Sequence, residues 1–167
     1  EIVGVGIVII GFLLLISLTS FSPNDPNFIF PENTIIKNLL GFQGSFTADL
    51  FFQSLGLIAL LIPFSLIIVG INIVLNKKIF LIIESFFYTI LYSISGSLFF
   101  SLFYPNAFKL YINGNGGFIG KYLESIFLKS TINLNSQIFY YILILITLVL
   151  FLISIQLLIT YGNDIIN

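Results

Sequence analysis

Four apolar stretches divide this chain. Residues 2–21 carry no charge, and at about 1.5 Å per residue they reach about 30 Å, the thickness of a bilayer's hydrocarbon core. Residues 50–75 form the second stretch, with Pro63 in its middle. Proline lacks an N–H and crowds the preceding turn, so it is expected either to kink the helix there or to leave a carbonyl free, which neighbouring helices can re-satisfy. Residues 79–103 are interrupted only by Glu84, and residues 138–159 are nearly all Ile, Leu, Val, Phe and Tyr. The pattern predicts an all-α membrane protein, a single four-span domain over residues 1–167.

The polar links differ in kind. Asn76-Lys77-Lys78 joins the second and third stretches, which predicts an antiparallel hairpin. Residues 22–48 and 104–137 are long loops on the opposite face. Four spans place both chain ends on the Lys77/Lys78 side. Lysines in short loops mark the cytoplasmic face. The dense pair in the turn favours cytoplasm there, over Lys37, Lys109, Lys121 and Lys129, which share the long loops with Asp25, Glu32, Asp49 and Glu124.

Each long loop contains an organised piece. In "LTSFSPNDPNFIF", Pro23 and Pro26 fix φ and bias their predecessors away from helix, while Asn24 and Asp25 can close a turn. The first helix is thereby stopped and the chain directed sideways along the membrane face. A second helix follows, with Ser45 or Thr47 as its expected cap and Asp49 in its first turn. In the other loop, "NGNGGFIGKYLESIFLKS" predicts a short amphipathic helix launched from a glycine turn, interfacial or re-entrant. Phe118, Ile119, Tyr122, Leu123, Ile126 and Phe127 form its apolar side, and Lys121, Glu124, Ser125 and Lys129 the other.

Composition sharpens this picture. The chain is 58% hydrophobic with a mean hydropathy of +1.13, and 8% of its residues are charged, against about a quarter in soluble domains. Its solvent is therefore mostly lipid. The net charge of −1 leaves no basic footprint for nucleic acid. Cys and His are absent, which removes disulfides, thiol chemistry and the common zinc and haem ligands. Met is absent even at position 1, so a segment of a longer protein is expected.

Three features invite a sharper reading. "GNGGFIGK" fails as a phosphate loop: position 115 is Asn where the first Gly is needed, and Tyr122 stands where Ser or Thr must follow Lys121. A dinucleotide fingerprint fails too, because Ile occupies position 119. Glu84 is the one ionisable residue inside a span, but it lies close enough to the turn to reach the interface and pair with a lysine there. Ser93, Ser97 and Ser101 form a ladder of small residues beside Gly96, and Gly56 and Ala59 do similar work on the second span, allowing close helix packing in lipid.

Taken together, Ser22-Pro23-x-Asp25-Pro26, Gly41-x-x-Gly44, Ala48-Asp49, Gly56 with Pro63, and Gly116-Gly117-x-x-Gly120 resemble the N-terminal four-span membrane domain of FtsK/SpoIIIE-type bacterial DNA translocases. The resemblance covers nearly the whole chain and includes no catalytic motif. It implies a multi-pass bacterial inner-membrane protein at the division septum, with both ends cytoplasmic. The domain would anchor a hexameric P-loop ATPase that moves chromosomal DNA in cell division and chromosome segregation. That motor is not within these residues. The segment is accordingly expected to have no enzymatic activity and no cofactor, with ATP and Mg needed only by the motor. Its expected partners are the bilayer, other division proteins and further copies of itself, with no direct contact to DNA. The alternative is a small transporter or channel subunit, which would call for inverted repeats or several intramembrane polar groups.

Overall fold

The computed structural model describes residues 1–26, 35–77, 79–105, 113–129 and 136–162, with backbone alone for 81, 127–129, 136–137 and 156–162. The described residues form α1 (Ile2–Thr19), α2 (Gly41–Leu55), a 3₁₀ turn (Gly56–Leu60), α3 (Leu61–Asn76), α4 (Leu81–Phe103), α5 (Gly117–Lys129) and α6 (Ser136–Gly162). Four helical stretches are long and apolar enough to cross a membrane: Ile2–Thr19, Gly41–Asn76, Ile82–Phe103 and Ile138–Ile155. This is the all-helical, four-span architecture expected from the sequence. Large side chains such as Ile10, Phe12, Phe87 and Leu145 are exposed, as a lipid solvent allows.

The second stretch departs from expectation. Laid straight it would run over 50 Å, far beyond the about 30 Å of hydrocarbon core. Its break falls at Gly56, where φ is +70°, and not at Pro63. Pro63 stands in the first turn of α3, where a missing N–H leaves no helical bond unmade. The 3₁₀ turn and α3 suffice to cross the bilayer. The preceding α2 packs beside the end of α1, where Ser17 Oγ donates to Gly44 O at 2.7 Å. The expected cap also fails. Ser45 donates to Pro26 O and Thr47 to Gln43 O, and Asp49 lies mid-helix, because α2 begins earlier, at Gly41.

Close packing pairs α3 with α1 rather than with α4. A Cβ on Gly70 would stand 2.7 Å from Gly4 O and 2.9 Å from Val8 N, and one on Gly11 would stand 3.1 Å from Pro63 O. The two helices run antiparallel with their backbones nearly touching, the dispersion-driven association that lipid favours. The three-residue turn does reverse the chain, with Lys77 left-handed (φ +56°) and its N–H on Ile73 O. The hairpin it closes is splayed by an open cleft between α3 and α4. Lys77 pairs with Glu1 at 3.3 Å, which puts the start of α1 and this turn on one face of the bundle.

The α4–α6 pair is also antiparallel. Its register is marked by Tyr104 against Tyr140 (3.4 Å between hydroxyls), Thr147 donating to Ser95 (3.2 Å), and an edge-on Tyr92–Phe151 contact. Little of Ile138–Ile155 in α6 is buried, in keeping with its plain composition.

The glycine packing of α1 on α3 is testable in the chain solubilised in detergent. Gly70→Ala should lower unfolding stability by about 1–3 kcal/mol, the usual cost of overpacking. Gly6→Ala, where a Cβ meets nothing within 4 Å, should be neutral or stabilising. Equal losses for both would contradict the α1–α3 contact.

Candidate functional site

Two polar junctions gather at the end of the bundle where α1 and α4 stop, and they contain nearly all the motif residues named from the sequence. The first is built on the Pro23–Pro26 corner. Asp25, 7% exposed, accepts hydrogen bonds from Lys37 N (3.0 Å) and Asn38 N (2.8 Å). One carboxylate thus ties the start of the first loop to its end. Charge assistance makes such bonds stronger than neutral ones.

Asn38 completes the joint. Its Nδ2 donates to Ser17 O at 2.8 Å, its Oδ1 accepts from Leu40 N, and its main-chain oxygen accepts from Gly41 N at 2.9 Å. Gly44 faces this side chain so closely that a Cβ would overlap Asn38 Oδ1. The corner therefore aligns α2 across the end of α1. Glu32, Lys78 and Lys109, named from the sequence, lie outside the described residues.

The second junction repairs the broken helix. At Gly56 the chain turns out of α-geometry and frees backbone groups that lipid cannot satisfy. Ser97 Oγ of α4 donates to Leu55 O at 2.8 Å, and Leu57 N donates to Asn115 O at 2.8 Å. The glycine turn before α5 is seated directly in the gap. A Cβ on Gly56 would overlap the Asn115 carbonyl, and one on Gly117 (φ +64°) would stand 2.5 Å from Gly56 N. Gly116 and Gly120 lie against the Ser97 and Ser101 backbone. Asn115 is fully buried; its Nδ2 donates to Tyr104 O, while its Oδ1 has no partner. Asn113 adds two bonds to Gln53, which itself donates to Asp49.

This arrangement revises the predicted faces of α5. Glu124, assigned to the outer polar side, accepts a bond from Ser101 of α4. Phe118, Tyr122 and Ile126 point outward, with the rings of Phe118 and Tyr122 stacked. The glycines, not the aromatic side, face the bundle because only they permit the close approach. Glu84 is exposed at the other end of the bundle. Lys77, one of the two lysines expected to reach it, is paired with Glu1 instead.

Three residues that hold these junctions went unremarked in the sequence, Ser17, Asn38 and Gln53, and Asn115 was noted only as a mismatch to a phosphate loop. The only available signal was a polar residue at the edge of an apolar run. The serine ladder is also longer than it reads, because Ser85 and Thr89 continue the row of Ser93, Ser97 and Ser101 at every fourth position of α4. Among the described residues no group of three or more acids could hold a metal ion.

The family description "4TM region of DNA translocase FtsK/SpoIIIE" matches residues 1–161. No curated protein and no solved structure matches the chain.

The junctions can be separated by substitution. Asp25→Ala strands two main-chain donors and should cost about 2 kcal/mol, with Asp25→Asn costing less because one acceptor oxygen remains. Gly41 and Gly56 both have positive φ, but only Gly56 is hemmed in by a neighbouring backbone. Gly41→Ala should therefore cost about 1–2 kcal/mol and Gly56→Ala clearly more, as read by unfolding in detergent. Equal losses for the two glycines would sink the seating of the turn on the break.

Proposed function

This chain belongs to the family of 4TM regions of DNA translocase FtsK/SpoIIIE, and we propose that it is the membrane anchor and interaction domain of a septal DNA translocase, tethering a cytoplasmic ATPase motor that its own residues do not contain. The observation that carries this reading is the match over residues 1–161, on a bundle whose motif residues at the two junctions are engaged in packing. The glycine turn that resembles a phosphate loop is filled by the protein's own backbone: Gly116 and Gly117 are buried against Ser97, Ser54 and Gly56. Asp25 ties the two ends of the first loop, Asn38 holds that loop to α1, and Ser97 and Glu124 hold α4 to α2 and to α5. Such a domain positions a motor and offers surfaces to partners in the membrane.

In this reading the Lys77 face is cytoplasmic, the membrane is the bacterial inner membrane, and the Asp25 and Gly116 junctions form its outer face. The dense lysine turn and the family both support that orientation. The partners are other division proteins and further copies of the chain, assembled around a hexameric motor. ATP, Mg and DNA belong to the motor.

A fluorescent fusion to residue 167 should form a band at mid-cell, and should do so when the motor's ATP hydrolysis is blocked. An even glow around the whole membrane, with the fusion intact on a gel, would assign the localising information elsewhere. Orientation has its own test, made clean by the absence of native cysteine. A membrane-impermeant thiol reagent added outside spheroplasts should label Leu39→Cys, whose parent side chain is 78% exposed, and spare Lys77→Cys. The opposite labelling would invert the topology.

A further inference from the structure

The cleft between α3 and α4 has a volume of about 480 Å³ and opens sideways past the exposed Phe86, Ile90 and Ile94. Along α4 it runs from Ile82 to Ile94, about 18 Å of helix. Its far end is closed by Phe51 of α2 and Ile119 of α5. Ser85, Thr89 and Ser93 climb its α4 wall, and the hydroxyls of Ser85 and Ser93, both buried, have no hydrogen-bond partner. Further along the same row, Ser97 and Ser101 are covered by the glycine turn and α5. The row is thus filled by this chain at one end and left open at the other.

We propose that this cleft holds one acyl chain of a phospholipid from the leaflet on the Lys77 side. Half of a core about 30 Å thick is about 15 Å, so the cleft has the length of a single leaflet. A partner's spanning helix would have to run the full thickness and would meet Phe51 and Ile119 on the way. No charged side chain lines the cleft, which suits hydrocarbon. Ser85, one turn into α4, and Ser93 put small side chains on the wall, so the groove beside Phe86, Ile90 and Ile94 has room for a chain of methylenes. Ser93, deeper, can turn its hydroxyl to the carbonyl one turn back.

The test uses the chain in vesicles of phosphatidylethanolamine and phosphatidylglycerol, part of the former carrying a diazirine at mid-chain. After irradiation, mass spectrometry maps the attached lipid. Labelling should concentrate several-fold on residues 86–94 over the outward-facing Ile9 and Phe12 of α1. Ser93→Phe fills the cleft and should lower that labelling about tenfold, the equivalent of roughly two buried methylene groups. Ile83→Phe, on an exposed position, should leave it unchanged. Should Ser93→Phe fail to fold, Thr89→Phe on the same wall serves, and the map of the unsubstituted chain decides by itself. Even labelling of all lipid-facing helices would overturn the proposal. So would disulfide dimers of Phe86→Cys with no lipid attached at 86–94, which would give the cleft to a second copy.

Discussion

The break at Gly56 is the constraint around which the rest of the bundle is arranged. A helix that leaves α-geometry at the edge of a membrane frees carbonyl and N–H groups, each worth several kcal/mol if left unsatisfied in hydrocarbon. Here those groups are met by Ser97 from α4 and by the Asn115 carbonyl from the turn before α5. Two distant parts of the chain must therefore converge on residues 55–57. That convergence brings α5 onto α4, and α2 onto α5 through Gln53 and Asn113.

Lipid as solvent explains the division of labour among residue types. Leu, Ile and Phe gain nothing by clustering in a medium as apolar as themselves, so many of them face outward. Specificity falls to small and polar side chains: Gly4, Gly11 and Gly70 at the α1–α3 crossing, and Ser17, Asn38, Asp25 and Ser97 at the polar end. The result is polar joints concentrated at one face and dry helix packing toward the other.

The spans themselves were legible because twenty uninterrupted apolar residues leave a helix little alternative in a bilayer. The Pro23–Pro26 corner and the glycine turn were legible because proline and glycine act locally on φ. What was misread was partnership. Pro63 read as a kink or a freed carbonyl because a proline inside an apolar run looks interior, yet the helix had already broken seven residues earlier. Ser45 and Thr47 read as caps because the apolar run seemed to begin after them, yet they lie inside α2 and bond to Pro26 and Gln43. Glu124 read as an outward charge because the aromatic side of α5 seemed the natural inner face.

By itself the sequence determined the solvent, the four spans, the positions of the two turns and the family. These rest on composition, run length and φ preferences, all of which are local. Tertiary structure alone decided that α3 packs on α1, that the glycine turn plugs the break at Gly56, and that Asp25 clasps Lys37 and Asn38. Each of those depends on how closely two backbones approach and which donor meets which acceptor. In hydrocarbon such contacts are set by geometry between distant segments, and no periodicity along one segment encodes its partner.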